Sequence, residues 1–286
     1  MAAISTTPCE LRMTTPQHHI AFIGGGNMAS AIIGGLIRQG MTAEHITVVE
    51  PFAETAAKLH QDFGITALPV AGPALAQADL VVWAVKPQMF SAAAAPVMPH
   101  TRAALHLSVA AGIRTDSICR WVGTERVVRC MPNTPALVGQ GITGLFPCPS
   151  TTPADKALVE QVIGTTGQSV WVEQESQLDA VTALSGSGPA YVFYFLEAMT
   201  EAGVGMGLSS EQAYKLAVAT FSGAASLAAA STESPEVLRQ RVTSKGGTTY
   251  AAITAMEASG VKPLFIQAMQ AAEVRARELG DEFGKA

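Results

Sequence analysis

Charged residues are few in this chain of 286 residues: Lys, Arg, Asp and Glu together make up 14%, and the formal net charge is −5. No block of Lys or Arg occurs, which argues against nucleic acid or an anionic membrane as a partner. No apolar run approaches the roughly 18 residues that a membrane span needs, so a membrane protein is not expected. These absences leave small molecules and other protein chains as the expected partners.

Cysteine and metal-ligand patterns are scarce as well. The four cysteines have neither C-x-x-C spacing nor an accompanying histidine cluster, and they are Cys9, Cys119, Cys130 and Cys148. This pattern favours free thiols in a reducing cytoplasm over a disulfide frame or a zinc site, and no metal is predicted. Residues 1–17 lack the apolar core of a signal peptide, so we interpret them as a disordered leader, with Met13 as an alternative start.

The most informative stretch that is present runs from Ile20 to Leu36. A short apolar run, typical of a buried strand, leads into three glycines and then an Ala/Ile/Leu segment with helical spacing. Gly24, Gly26 and Ala29 fit the Gly/Ala form of the dinucleotide-binding fingerprint, in which the small residues permit a sharp turn, close approach of a pyrophosphate and tight helix packing. The phosphates would lie at the helix N-terminus. The alternative is an ordinary glycine-rich turn.

The prediction of the cofactor depends on Glu50, which ends the second predicted strand, Ile46 to Val49. It lies 26 residues after Gly24, against a usual spacing of about 20 for the acid that holds an adenosine ribose. A carboxylate there accepts hydrogen bonds from ribose hydroxyls and repels a 2′-phosphate, so local chemistry favours NADH over NADPH. The alternative is a solvated residue at the strand end.

Polar residues follow several later strands, where parallel sheets bind ligands. Lys86 and Asn133 follow apolar runs of this kind and are candidates to face a ligand, although Lys86 is equally compatible with a solvated lysine. Ala110 and Ala111 follow another strand and allow a flat ring to approach. The remaining predicted strands are 79–85, 104–108, 126–130, 141–146 and 169–172, with a helix at 153–164.

This alternation predicts a Rossmann-like α/β domain with a mostly parallel, doubly wound sheet over residues 18–174, the nucleotide domain. Only helical patterns follow, which predicts an all-α domain over residues 175–286, the helical domain. Its predicted helices are 176–185, 189–205, 209–230, 235–243, 250–259 and 261–283, with start signals at Ser209, Pro189 and Pro235.

Two loops in the helical domain carry hydroxyls and glycines. One is Ala183 to Tyr191, between helices, and the other is Val242 to Thr249, just before a helix. A helix N-terminus with exposed N–H groups and Ser/Thr hydroxyls can hold a carboxylate. The alternative is that both loops are caps and turns, which the same residues commonly form.

Together these motifs resemble the pyrroline-5-carboxylate reductase family over roughly residues 20–260. The resemblance is carried by IGGGNMASAIIGGL, AVKPQ, SVAAGI, MPNTPALVGQGITGL, ALSGSGPAYVFYFLEAMTEAGVGMGLS and VTSKGGTTYAAI. It implies hydride transfer from NADPH or NADH to the C=N bond of 1-pyrroline-5-carboxylate, giving L-proline. It also implies that the helical domain interleaves with a second subunit into a homodimer or a larger ring.

The resemblance also implies roles for single residues. The cofactor phosphates would be covered by Ile23, Gly24, Gly25, Gly26, Asn27 and Met28. The cleft from adenosine to nicotinamide would be shaped by Val85, Lys86, Pro87, Ala110 and Ala111, with Asn133 near the nicotinamide. The pyrroline carboxylate would be held by Ser244, Gly246, Gly247, Thr248 and Thr249, and the Thr249 hydroxyl would reach the ring nitrogen as the catalytic group.

Two departures and two rival functions stay open at this point. Many family members have Pro where this chain has Lys245, and many favour NADPH, against which Glu50 argues. A β-hydroxyacid dehydrogenase would need a lysine on the helix after Gly188, yet the next lysine is Lys215. A non-catalytic nucleotide-binding protein is the other rival, and the intact loop from Ser244 to Thr249 argues against it.

Overall fold

The computed structural model describes residues 18–284, so the predicted leader lies outside the described residues. The apolar runs of the first half form strands that are buried between two layers of helices, as a parallel sheet requires. The seven strands in the described residues are β1 (Ile20–Ile23), β2 (Ile46–Val49), β3 (Leu80–Trp83), β4 (Leu105–Ser108), β5 (Val127–Met131), β6 (Gly141–Pro147) and β7 (Gly167–Trp171).

The strand order is β2-β1-β3-β4-β5-β6-β7, with β1 to β5 parallel. The first connection runs from β1 to β2 and the next returns past β1 to β3, so the direction of winding reverses between β1 and β3. The crevice at such a reversal, outside the carboxyl ends of the strands, is where open sheets of this kind bind nucleotides. The predicted Rossmann-like fold is confirmed, and its ligand edge is thereby located.

Helices cover both faces of this sheet, in the order α1 (Asn27–Arg38), α2 (Ala53–Phe63), α3 (Phe90–Thr101), α4 (Thr115–Val122) and α5 (Pro153–Gly164). One core contains Ile32 and Ile33 of α1 together with Val159 of α5. The opposite core contains Phe90 of α3 and Ile118 of α4. The strands β1 to β5 therefore pack on two sides, which explains why β1, β2 and β3 are nearly continuous apolar runs.

The helix α1 approaches the end of α5 closely at Gly35. A Cβ on Gly35 would lie 2.5 Å from Oγ1 of Thr165 and 2.7 Å from the carbonyl oxygen of that residue. The carbonyl belongs to the backbone and cannot rotate away. The glycine is therefore required by the packing of α1 on the end of α5 rather than by the ligand loop.

His106 is the buried polar group at the centre of the nucleotide domain. Trp83 Nε1 donates to His106 Nδ1 at 3.0 Å, and because the indole can only donate, His106 Nε2 carries the proton and donates to the Thr101 carbonyl oxygen at 3.1 Å. Burial lowers the pKa of His106 to about 4; the bond to Thr101 opposes this shift, and the charge of Arg126 adds to it. The imidazole is thus held neutral.

The strand direction reverses at β6, which is antiparallel to β5, and β7 runs parallel to β6. The chain consequently leaves β7 at the edge opposite the ligand crevice and has to return along the sheet. It does so through α6 (Gln177–Val181) and a π-helical turn, Thr182–Gly186. Gly144 makes room for this return, since a Cβ there would lie 2.8 Å from Cγ1 of Val181.

From α6 onward the described chain is helical, as predicted. The remaining helices are α7 (Gly188–Gly205), α8 (Ser210–Ala230), α9 (Pro235–Arg241), α10 (Thr248–Ala258) and α11 (Val261–Phe283). The start signals are confirmed: Ser209 and Gln212 form a capping box, and Pro189 and Pro235 lie in the first turns of their helices. The division at residues 174 and 175 stays a prediction.

The end of α11 returns to the nucleotide domain and binds beside α4. Arg114 pairs with Asp281 at 2.7 Å. The ring of Phe283 packs against Gly112, where an added Cβ would lie 3.0 Å from the ring.

Large apolar side chains of α7, α8 and α11 remain exposed in the single chain, with Phe193 at 59%, Leu216 at 57% and Leu264 at 60%. Such a surface fits association with another chain.

Candidate active site

The glycine-rich turn after β1 is shaped by contacts with the two neighbouring strands. Gly24 has φ of +94°, and its N–H donates to the Val49 carbonyl oxygen at 2.9 Å. A Cβ on Gly24 would lie 2.6 Å from the backbone oxygen of Ala84, the residue after β3. A side chain is therefore excluded both by the backbone conformation and by space, as the fingerprint predicts.

Gly26 is a glycine for a different reason. A Cβ built on it would meet nothing within 4 Å, so no protein group needs the space. α1 begins at the next residue, Asn27, with no side-chain cap on its free N–H groups. Ala29, one turn into α1, is fully buried against the sheet. An open path to uncapped N–H groups is what a bound pyrophosphate requires, and the residues present therefore fit a dinucleotide.

Glu50 lies against this turn and is 6% exposed, so the alternative of a solvated residue is wrong. Its carboxylate accepts hydrogen bonds from the N–H of Gly25 at 2.8 Å and the N–H of Phe52 at 2.8 Å. The side chain thus helps to fix the glycine turn in addition to any contact with a ribose. The prediction that this carboxylate faces the adenosine ribose and disfavours a 2′-phosphate stays a prediction.

The residues that follow β3 and β4 lie at the same edge of the sheet as the glycine-rich turn. Lys86 is exposed and precedes the short turn that begins at Pro87, whereas Val85 is half-buried and borders Gly24. Ala110 is buried and its N–H donates to Oγ of Ser108 at 3.3 Å. These groups lie at the carboxyl ends of β3 and β4, and the prediction that they border a bound cofactor stays a prediction.

Asn133 follows β5 at this edge, and its amide is engaged with the protein. The N–H of Ile142 donates to its Oδ1 at 3.0 Å, and its Nδ2 donates to the Ser185 carbonyl oxygen at 3.2 Å. The residue thereby joins the nucleotide domain to the π-helical turn. The prediction that Asn133 lies beside the nicotinamide remains untested, and the polar atoms expected to serve the ligand have protein partners.

A cavity of about 500 Å³ opens between the two domains beside Asn133. The sequence indicated Asn133 and the Ala183–Tyr191 loop as parts of a site. The other helix residues of the lining were missed because they have the pattern of ordinary helix-core residues. Apart from Asn133 and Ser185 the lining is largely apolar and aromatic: Pro135, Leu184, Gly188, Pro189, Tyr191, Val192, Phe195, Phe221, Phe265 and Met269.

The second predicted ligand loop, Ser244 to Thr249, runs into α10, so its last two residues belong to that helix. Gly246 has φ of +78°, and the N–H of Gly247 donates to the Ser244 carbonyl oxygen at 3.0 Å, so the loop makes a tight turn. α10 then starts at Thr248 without a side-chain cap, which leaves its first N–H groups available to a carboxylate. Within residues 18–284, the hydrogen bonds of this loop do not reach the nucleotide domain.

In the part of the chain that the structure describes, no group of three or more His, Cys, Asp or Glu side chains is arranged to hold a metal ion. Cys119, Cys130 and Cys148 are free thiols. None of the described helices is long and apolar enough to cross a membrane.

Two family profiles match different parts of the chain. A family profile described as "Pyrroline-5-carboxylate reductase dimerisation" matches residues 175–279. Another, described as "NADP oxidoreductase coenzyme F420-dependent", matches residues 19–112. The pyrroline-5-carboxylate reductase of Pseudomonas aeruginosa is 45% identical over 275 residues, which is 96% of this chain and 100% of that protein. That of Haemophilus influenzae is 42% identical over 92% of this chain and 98% of that protein.

Solved structures of pyrroline carboxylate reductases are also similar to this chain. A pyrroline-5-carboxylate reductase from Coxiella burnetii is similar with a TM-score of 0.86 and 38% identity, over 92% of this chain and 98% of that one. The Plasmodium falciparum pyrroline carboxylate reductase, solved with NADP bound, is similar with a TM-score of 0.82 and 27% identity, over 92% and 98%.

Proposed function

The chain belongs to the pyrroline-5-carboxylate reductase family, and we propose that it reduces 1-pyrroline-5-carboxylate to L-proline with NADPH or NADH. The observation that carries the proposal is the open cradle from Gly24 to Ala29 in a chain that matches family members along nearly its whole length. The free thiols of the described residues support a reducing, cytoplasmic location.

The proposed cofactor residues divide between the two sides of the crevice. The phosphates take the N–H groups at the start of α1, and Glu50 receives the adenosine ribose. Val85 and Ala110 border the cleft toward the nicotinamide end. The nicotinamide, when bound, supplies a hydride to the C=N carbon. The protein holds the two carbons in contact and excludes water.

The proposed substrate residues lie at the start of α10. The uncapped N–H groups and the Ser244 hydroxyl hold the carboxylate, and Lys245 adds a positive charge beside it. The Thr249 hydroxyl orients the ring nitrogen. No His, Asp or Glu side chain is proposed as a general acid; solvent or the protonated imine itself supplies the proton.

The Ser244–Thr249 loop and the crevice do not meet through hydrogen bonds within one chain, yet they have to meet around one substrate. We therefore propose that the loop of one subunit closes over the crevice of a second copy. The exposed apolar faces of α7, α8 and α11 support this arrangement, because they provide the surface for a dimer that places the two halves of each site together.

The test is a turnover assay with pyrroline-5-carboxylate, in which oxidation of NADH and of NADPH is followed in separate reactions and proline is identified as the product. Oxidation with proline formed is the expected result. The ratio of the two kcat/KM values then measures how far the Glu50 carboxylate disfavours the 2′-phosphate. Absence of oxidation with both cofactors would contradict the proposal.

A further inference from the structure

The Asn133 side chain connects two separate segments with a defined amide orientation. A backbone N–H can only donate, so the Ile142 N–H at 3.0 Å identifies the atom that faces it as Oδ1. The other end of the amide is then Nδ2, a donor, and it faces the Ser185 carbonyl oxygen at 3.2 Å. In this orientation Oδ1 accepts and Nδ2 donates. A flipped amide would place Nδ2 against the Ile142 N–H and Oδ1 against the Ser185 carbonyl oxygen, so only one orientation is stable.

The Ser185 carbonyl needs this outside donor for a reason that lies in the sequence. In a regular α-helix it would accept from the N–H of residue 189, but that residue is Pro189, which has no N–H. In a continued π-helix the donor would be Ala190, whose N–H instead donates to the Ser187 carbonyl oxygen at 3.0 Å. Asn133 supplies the missing donor across the domain boundary.

This bond crosses one end of the cavity between the domains. Asn133 and Pro135 line the cavity from the nucleotide domain, while Ser185 and Pro189 line it from the helical domain. A π-helical turn is itself an uncommon local structure that often marks functional sites. Among the described residues, no other group of the β5–β6 connection makes a hydrogen bond to the helical domain. Asn133 therefore sets the separation of the two linings at this end of the cavity, whereas Glu175 joins the domains elsewhere through Arg129 and Thr115.

We propose that Asn133 is a positioning residue for the reduction, acting by holding the two linings of the cavity at a fixed separation through the Ser185 carbonyl. Its amide does not bind the nicotinamide. This proposal refines the reductase function given above and rests on it for its kinetic consequence.

The variant that tests the proposal is Asn133→Asp. It keeps the size and shape of the side chain and an acceptor for Ile142, but it places a carboxylate oxygen against the Ser185 carbonyl oxygen. The matched control is Gln140→Glu, which makes the same amide-to-carboxylate change at an exposed position of the same connection. A melting curve for each protein verifies that both variants fold.

The expected result is a fall of kcat/KM for the imine by about 10- to 100-fold in Asn133→Asp, as follows when reacting groups are displaced by about an ångström. The dissociation constant of the reduced cofactor should match that of the wild type. Activity of this variant should partly recover as the pH is lowered, because a protonated carboxyl again donates to Ser185. Gln140→Glu should show none of these changes.

A second readout does not depend on turnover: backbone hydrogen exchange over residues 182–190 should accelerate in Asn133→Asp and not in Gln140→Glu. Two results would overturn the proposal. One is exchange and kcat/KM equal to those of the control; the other is a weakening of cofactor binding in parallel with kcat/KM, which would mean direct contact. An inactive wild type would instead contradict the reductase function, and exchange would still decide what Asn133 does.

Discussion

At the scale of single residues, the hydroxyl of Thr249 is the group whose loss should be felt most directly in catalysis. It lies at the second position of α10, beside the uncapped N–H groups proposed to hold the carboxylate. We expect Thr249→Ala to lower kcat/KM by about 100-fold, the lower end for a group that orients or transfers a proton. Thr249→Ser should retain most of the activity because it restores the hydroxyl.

The control for Thr249 is Thr254→Ala, the same chemical change at an exposed position one turn further along α10. Steady-state kinetics with both substrates varied would separate the two sites. Equal kinetics in wild type and Thr249→Ala would remove Thr249 from the mechanism.

The buried imidazole of His106 predicts how stability depends on pH. Its pKa in the folded protein is about 4, below the usual 6.5. Between pH 6.5 and pH 4, His106 is therefore protonated in the unfolded chain but stays neutral in the folded protein. The free energy of unfolding should decrease as the pH falls from about 6.5 to about 4, by about 3 kcal/mol in total, and this effect should be absent above that range.

His106→Gln removes this titration while keeping a donor and an acceptor in the core. Denaturant unfolding of wild type and variant at several pH values, at one protein concentration, would measure the difference. His60→Gln, at an exposed position of α2, is the control and should keep the wild-type slope. Parallel pH curves for wild type and His106→Gln would show that the imidazole is not the titrating group.

At the scale of elements, the packing of α1 on the end of α5 depends on the absence of a side chain at Gly35. Gly35→Ala should destabilise the protein by about 1–3 kcal/mol, as overpacking does, since the Thr165 backbone oxygen cannot move aside alone. Gly164→Ala is the matched change, because a Cβ there meets nothing within 4 Å. That variant should be neutral or stabilised by up to about 1 kcal/mol.

Thermal unfolding at equal protein concentration is sufficient to compare these two variants. A Gly35→Ala protein as stable as Gly164→Ala would mean that the contact between α1 and Thr165 relaxes without cost.

Elements were predictable from the sequence where one local pattern decides them. The strands β1, β2 and β3 are short runs buried on two sides, so their residues are almost all apolar, and Gly24 and Ala29 determine the geometry of the turn. The direction of β6 was not predictable, since antiparallel and parallel strands of this length have the same composition. The engagement of Glu50 with Gly25 and of Asn133 with Ser185 depends on tertiary distances that no spacing in the sequence encodes.

At the scale of the whole molecule, the proposed sharing of each site between two copies has a direct test by mixing subunits. One variant is Gly26→Asp, which puts a negative charge where a Cβ has free space beside the phosphates; the other is Thr249→Ala. Each homodimer should be impaired. In a mixed dimer with shared sites, one site carries both changes and the other carries neither, so about half of the wild-type activity should return.

The alternative gives the opposite result. If each chain forms its own site, both sites of the mixed dimer keep one defect and no activity returns. Co-expression with two different affinity tags, followed by sequential purification, would isolate the mixed dimer for assay.

The buried Trp83 has an optical consequence. All three tryptophans of the protein, Trp83, Trp121 and Trp171, belong to the nucleotide domain, and the helical domain has none. Indole fluorescence therefore reports on one half of the molecule alone. The Trp83 indole donates a hydrogen bond to the neutral imidazole of His106, so its fluorescence should decrease when His106 gains a proton. Trp83 should also transfer excitation energy to a reduced nicotinamide bound in the crevice. The wild-type protein thus carries an intrinsic probe of both cofactor occupancy and acid unfolding.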